Sequence, residues 1–424
     1  DIAHVDEKTG SIFIGAYGYI AEEHPHYRKY YRVELESGLF EPINDASGHH
    51  YLHVSPNGSV MVNTWSRHDA PPQSILLAAD GTKIMDLHQT DVSTLLEAGW
   101  RPPLYAETFA PDGETRLFSY TFLPFEKQDG ASYPIISVPQ PNPSGDGSLP
   151  IEFTPIDELA SLAQVGFAVV TSTTRGQAQG VRSKSYLLSS NWNVRDYPLE
   201  DSRRTIEQLA ERFPQFDINR VGVSGYSGGA FMGAALMLTY PEFYKAGAVG
   251  AGNHDNRISE MNSGEHYFGV THSEGTRNKP TSGICADRTI LGNTPSDSDQ
   301  STKQNIEAAN KSAITVGLKS NTISEWCVDM DTNQALAHGL GGPLVVYHGD
   351  SDTDTHFQHS VRLADALIKA GKPFEFLVLP GEDHDIWSAG GASGYMERRL
   401  WMFFAKHLMD DHRWHTDVYA LDKL

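Results

Sequence analysis

Strand-like and helix-like segments alternate from residue 156 onward, and this alternation narrows the fold more than any other feature of the sequence. The order runs helix (DELASLAQVG), strand (FAVVTS), helix (about Glu200 to Phe213), strand (RVGVSG), helix, strand (KAGAVGAG). In RRTIEQLAERF, Ile206, Leu209, Ala210 and Phe213 recur at i, i+3, i+4 and i+7, one face of a helix turned toward a core. Residues 255 to about 335 lose the rhythm, and a polar, irregular insertion over 255–340 is expected. The alternation resumes with PLVVYHG, FQHSVRLADALIKAGK, FEFLVLPG and a last helix, MERRLWMFFAKHL. Such an order predicts an α/β fold, a mostly parallel sheet with helices on both faces.

The first hundred residues follow a different rule. Short β-type runs (DIAHVD, SIFIGAY, YYRVEL, HYLHVS, SVMVNTW, SILLAA, TKIMDL) are separated by turn residues such as Pro56-Asn57-Gly58 and Asp80-Gly81. They fall into about two sets of four, each of ~45 residues, the period of a propeller blade. Two blades cannot close a ring of four to eight, so residues 1–95 are expected to work with further blades on a bound chain or a segment upstream. A small sandwich is the alternative. DVSTLLEA reads as a short helix stopped by Gly99 and Pro102-Pro103, which places the boundary there and a catalytic domain over 96–424. ETRLFSYTFLP and YPIISV read as its first strands.

Chemistry enters at VGVSGYSGGAFMGAA. Gly225-Tyr226-Ser227-Gly228-Gly229 is a G-x-S-x-G between a buried strand and an apolar helix. That is the setting of a nucleophile elbow, whose strained serine needs neighbours without bulk and whose helix start points amides at a developing oxyanion. A serine needs a base, and the base an orienting acid. In parallel sheets these sit on loops at the carboxyl ends of strands. Two such loops follow: Asp350-Ser351-Asp352-Thr353-Asp354 after PLVVYHG, and Glu382-Asp383-His384-Asp385 after FEFLVLPG. Ser227, one aspartate of the 350 loop and His384 thus stand in the order of an α/β-hydrolase triad. A metal site is the rival, because His348, Asp350, Asp352, His356, His359 and His384 crowd the same loops. No fixed ligand spacing supports one, and no metal or cofactor is expected. His348 reads as a core histidine, and His24, His26, His49 and His50 as solvated loop residues.

Composition bounds the partners. A formal charge of −21 argues against nucleic acid and anionic membrane surfaces, and no apolar run approaches the ~18 residues of a spanning helix. Cys285 and Cys327 lie in the polar insertion without metal-ligand spacing. A disulfide restraining that insertion is expected, with two free thiols the alternative, and it goes with a periplasmic or secreted setting.

With these elements together, the chain resembles the prolyl oligopeptidase family of serine peptidases, in particular its dipeptidyl-peptidase-IV-like bacterial members. VSPNGSVMVNTWSRHDAPPQSILLAADGTKIMDL is similar to a last propeller blade. GVSGYSGGAFMGAALMLTYPEFYKAGAVGAGNHDNR is similar to the elbow region, and VVYHGDSDTDTHFQHSVRLADALIKAGKPFEFLVLPGEDHDI to the acid-and-base region. The resemblance implies Ser227 as nucleophile, His384 as base and, from the HG-x-x-D pattern, Asp352 as acid. Gly228 would offer its amide to the oxyanion. It further implies an oligopeptide substrate in a pocket including Asn253, His254 and Asp354, and it admits a homodimer. Three departures stand out. Where the family carries an oxyanion-binding tyrosine, this chain has Pro139-Gln140-Pro141-Asn142-Pro143, leaving Gln140 or Asn142 as substitutes. The family's substrate-holding asparagine is here Asp354, and its proline-pocket aromatics are replaced by Asn253-His254-Asp255-Asn256-Arg257. A serine esterase on the same fold and a catalytically dead binding homologue are the other readings.

Overall fold

A computed structural model of the chain describes residues 1–7, 9–126, 130–140, 149–155, 157–177, 186, 194–259, 271–276, 322–327, 332–387 and 392–410. Eight strands come first: β1 (Ile2–Asp6), β2 (Ser11–Tyr17), β3 (Arg28–Glu34), β4 (Phe40–Pro42), β5 (His49–Val54), β6 (Val60–Arg67), β7 (Ala70–Ala78) and β8 (Lys83–Gln89). They pair antiparallel as two four-stranded meanders, β1-β2-β3-β4 and β5-β6-β7-β8. Phe13, Tyr30, Leu52, Met61, Ile75 and Leu77 form the apolar cluster shared by the two sheets. The sequence reading lacked β4, whose three residues are too short for a periodic signal.

After helix α1 (Ser93–Glu97) come β9 (Leu104–Phe109), β10 (Arg116–Phe122), β11 (Tyr133–Val138), α2 (Glu158–Gln164), β12 (Ala168–Ser172), α3 (Asp196–Arg212), β13 (Phe216–Tyr226), α4 (Gly228–Thr239) and β14 (Tyr244–Gly250). Within the insertion, β15 (Thr271–Thr276) and β16 (Thr322–Cys327) pair antiparallel. Then follow β17 (Leu344–Gly349), α5 (Gln358–Lys369), β18 (Glu375–Leu379) and α6 (Ser393–Met409). One eight-stranded sheet takes the order β18-β17-β14-β13-β11-β12-β10-β9, parallel from β18 through β12 and antiparallel at β10 and β9. This is an α/β-hydrolase sheet preceded by propeller-type sheets.

Apolar clusters cover both sheet faces. Leu199, Ile206 and Leu209 of α3, Phe231 to Leu238 of α4, and Leu363 and Leu367 of α5 pack on one side. On the other lie Ala160 and Ala163 of α2 and Met396, Phe403, Phe404 and Leu408 of α6. Gly229 through Leu238 of α4 are all buried, as expected of a helix apolar on every side.

Four histidines correct the sequence reading. All four are buried: His24 and His26 because the loop before β3 packs on Phe118 of β10, and His49 and His50 because they open strand β5 rather than lie in a loop. The His24 ring lies 4.6 Å from that of Phe118 and 5.3 Å from that of Tyr105, and His50 stacks on Trp65 while bonding Asn63 and the Ala46 carbonyl. The insertion is also narrower than 255–340: Leu336, Ala337 and Leu340 already belong to the main core. Cys285 and Asn142 lie outside the described residues, so the disulfide and one oxyanion substitute do too.

Candidate active site

The elbow follows from close packing. Ser227 sits between β13 and α4 at φ 55° and ψ −125°, a region that a residue with a Cβ occupies only under constraint. Its amide donates to the Gly250 carbonyl at 2.9 Å, which ties the turn to the end of β14. Both motif glycines are required by space. A Cβ on Gly225 would collide with the Gly229 carbonyl, and one on Gly229 would lie 2.8 Å from the Pro139 carbonyl oxygen. The latter contact brings the segment after β11, with Gln140 next in line, against the elbow. Gln177 fixes it there by donating from Nε2 to the Gln140 carbonyl at 3.2 Å. Gly228 is the first residue of α4, and first-turn amides have no intrahelical acceptor.

His384 and Asp352 arrive from the loops after β18 and β17. The Ser227 hydroxyl lies 3.0 Å from His384 Nε2, and His384 Nδ1 lies 2.8 Å from Asp352 Oδ2. Asp352 is buried, and its Oδ1 accepts the amides of Asp354 at 3.0 Å and Thr355 at 2.7 Å. The neighbouring carboxylates have other partners: Asp350 accepts the Gly381 amide at 2.7 Å, and Asp383 accepts the His384 amide at 2.8 Å. Asp354 is exposed. Tyr226, the variable residue before the serine, donates from its hydroxyl to the His384 carbonyl and lays its ring 5.6 Å from the imidazole. Burial pushes its phenol well above the ordinary range. In such a line the imidazole can take the serine proton at Nε2 while the carboxylate holds the hydrogen on Nδ1.

The remaining sequence-predicted residues divide. Asn253 is half-buried and donates from Nδ2 to Asn256 Oδ1 at 2.6 Å. His254 has no exposed surface: its ring packs so closely on Gly252 that a Cβ there would lie 2.6 Å from it, its Nδ1 lies 3.1 Å from Asn333 Nδ2, and burial lowers its pKa to about 3. A side chain so enclosed presents no exposed surface to a substrate. Beside it the neck of the insertion is clasped by Asp255, paired in an antiparallel bridge with Thr332. Although burial works against its charge, Asp255 is held below the ordinary carboxylate range by Arg257, at 2.8 Å, and Arg362, at 2.7 Å. The sequence reading gave none of these three residues this role; only the spacing of opposite charges at 255 and 257 hinted at it. Among the described residues no three His, Cys, Asp or Glu are placed to hold a metal ion, and no helix is long and apolar enough to cross a membrane.

Comparison with known proteins agrees with this architecture. A model of the prolyl oligopeptidase family matches residues 153–283 and 323–411, and one of the dipeptidyl peptidase IV N-terminal region matches residues 1–72. Human dipeptidyl peptidase 8 is 21% identical over 302 residues, covering 69% of this chain and 28% of its own length. Mouse inactive dipeptidyl peptidase 10 is 22% identical over 218 residues, covering 51% of this chain and 21% of its own. The solved structure of Porphyromonas gingivalis dipeptidyl peptidase 4 superposes with a TM-score of 0.71 at 18% identity, over 96% of this chain and 50% of that one. The chain thus spans about a third or less of these curated relatives and half of the solved one. With the family model matching more than half of its residues, the chain belongs to the prolyl oligopeptidase family, on its dipeptidyl-peptidase-IV-like side.

Proposed function

We propose that this chain carries the hydrolytic site of a dipeptidyl-peptidase-type serine peptidase. The observation that carries the reading is the hydrogen-bonded line from Ser227 Oγ to His384 to Asp352, at 3.0 and 2.8 Å, on a strained elbow. In the proposed reaction His384 Nε2 accepts the serine proton as Oγ attacks the scissile carbonyl. The Gly228 amide stabilises the oxyanion, and the imidazolium then protonates the leaving amine. Water, deprotonated by the same imidazole, releases the acyl group. Gln140 stands on the loop from which a second oxyanion donor comes in this fold. The exposed apolar residues of β1 and β8 (Ile2, Val5, Ile84, Met85 and Leu87) support further blades as partners, which would limit substrates to short peptides. A fluorophosphonate probe followed by peptide mapping, with dipeptidyl, aminoacyl and short-chain ester chromogenic substrates assayed in parallel, tests this. Label on Ser227 and fastest turnover of a dipeptidyl substrate are expected. Label elsewhere defeats the relay, and preference for the ester defeats the peptidase.

A further inference from the structure

His348, the penultimate residue of β17, has a fully buried side chain, and both ring nitrogens have partners. Nε2 lies 3.1 Å from Asp352 Oδ2 and 2.8 Å from the Thr355 carbonyl, two groups that only accept. The ring hydrogen therefore sits on Nε2. Nδ1 lies 2.8 Å from Ser360 Oγ and accepts that hydroxyl. Burial lowers the pKa of this histidine and keeps the ring neutral. Asp352 consequently receives two amides on Oδ1 and, on Oδ2, the His384 imidazole together with a share of the His348 N–H, which the Thr355 carbonyl also accepts.

We infer that His348 is a positioning residue of the relay, holding Asp352 Oδ2 in line with His384 Nδ1 and taking up part of the charge that the carboxylate would otherwise direct at His384. This rests on reading Ser227, His384 and Asp352 as the catalytic relay. Two consequences follow from removing the donor. The carboxylate gains freedom to turn, so Ser227 reacts more slowly. More of the carboxylate's negative charge then faces His384. The other groups around the pair stay in place. His254 and His359 bear on His348 from the side of the insertion neck and α5, and the Phe357 ring edge lies 5.7 Å from it. Tyr226 and the Asp383 carboxylate, bonded to the His384 amide, flank His384.

The test is the rate of fluorophosphonate labelling of Ser227 against pH, with thermal melting, in wild type, His348→Leu and His348→Gln. The glutamine amide reaches where Nε2 stood and can donate to Oδ2. His348→Leu should label about tenfold more slowly, as expected for a lost hydrogen bond to a charged group. The acid limb of its rate profile should move to higher pH, whereas His348→Gln should keep the wild-type limb and most of the rate. Should the leucine variant not fold, His348→Asn, whose amide stops short of Oδ2, takes its place. Unmoved limbs in all variants, with only melting temperatures lowered, overturn the role of His348 alone. A glutamine variant as impaired as the leucine one overturns it too. Wild type that does not label at Ser227 overturns the relay and this inference together.

Discussion

Strands β17 and β8 have similar lengths and each carries at least three large apolar side chains, yet Leu344–Gly349 are buried without exception and Lys83–Gln89 exposed without exception. The difference lies in their neighbours. β17 runs between two parallel strands with α5 and α6 closing the faces, whereas β8 is the outermost strand of a four-stranded meander. Burial here is a property of layers rather than of residues. Chemistry follows the same division. Ser227, Asp352 and His384, the proposed nucleophile, acid and base, follow β13, β17 and β18 of the larger sheet, and the strained turn at Ser227 comes after β13, an interior strand packed on both faces.

The largest expected effect tests whether that rigidity serves one carboxylate. Asp352→Asn should slow hydrolysis by roughly 10⁴-fold, because an amide cannot hold the His384 tautomer, with Asp350→Asn and Asp354→Asn within several-fold of wild type. Steady-state kinetics on the three variants decides it. Equal losses would mean that the loop acts as a diffuse acidic patch, and the contrast with the exposed region would lose its functional side.

Much of the covered sheet was readable because its signals are local. The i, i+3, i+4, i+7 stripe of Ile206, Leu209, Ala210 and Phe213 is buried or partly buried as its spacing predicts, and the strand, glycine turn and apolar helix around Ser227 lie within twenty residues. What escaped depends on distant partners. The edge strand β9 follows Pro102-Pro103, which signal a break, and is recognisable only through its pairing with β10. His24 and His26 look solvated until Phe118, some ninety residues on, closes over them. His348 was readable as buried, but its bond to Asp352 depends on how the loop after β17 turns back. For His254, the family resemblance implied contact with substrate, and only the three-dimensional arrangement shows it fully enclosed against Gly252.

Core substitutions should separate the two regions next. Leu363 on α5 is completely buried in the main cluster, and Leu363→Ala should cost about 2–5 kcal/mol of unfolding free energy. Denaturant titration measures it, and a loss well under 1 kcal/mol would mean that the covered sheet is less tightly packed than its burial implies.

Acid sensitivity gives a smaller effect with a definite sign. Burial lowers His359 to about 4 and His254 to about 3, so both are neutral in the fold across a range where the unfolded chain takes up protons. The unfolded state then binds more protons below about 6.5, and stability rises with pH through that window. This contribution is complete above pH ~6.5 and is lost as pH falls toward the folded-state values. His359→Asn can still accept the Asp255 amide that Nδ1 accepts at 3.2 Å, yet does not titrate. Its melting temperature should fall less than that of wild type between pH 6.5 and 4. Parallel pH profiles would move the acid sensitivity to other groups, the buried His50 of β5 and the half-buried His68 of the turn between β6 and β7 first among them.

The smallest effect tests the exposed side of the comparison. Leu87 lies on β8 with 46% of its surface accessible, beside Ile84 at 52% and Met85 at 51%. If no further blade covers this strand in the isolated chain, Leu87→Ser removes only the partial cover that its own sheet gives. The stability change should then stay within about 0.5 kcal/mol, the usual range for surface positions. Labelling of Ser227 should be unchanged, since β8 lies in a separate sheet from the relay. The same substitution in an assembly that includes further blades should cost more, because each apolar side chain fully covered there gains ~1.5–3 kcal/mol from leaving water. Denaturation midpoints of both forms, at several protein concentrations, make the comparison. A penalty above ~1 kcal/mol in the isolated chain, outside the surface range, would show β8 already covered, and dependence on concentration would identify a second copy as the cover. In either case the contrast between β17 and β8 would describe one copy of the chain and not the molecule in solution.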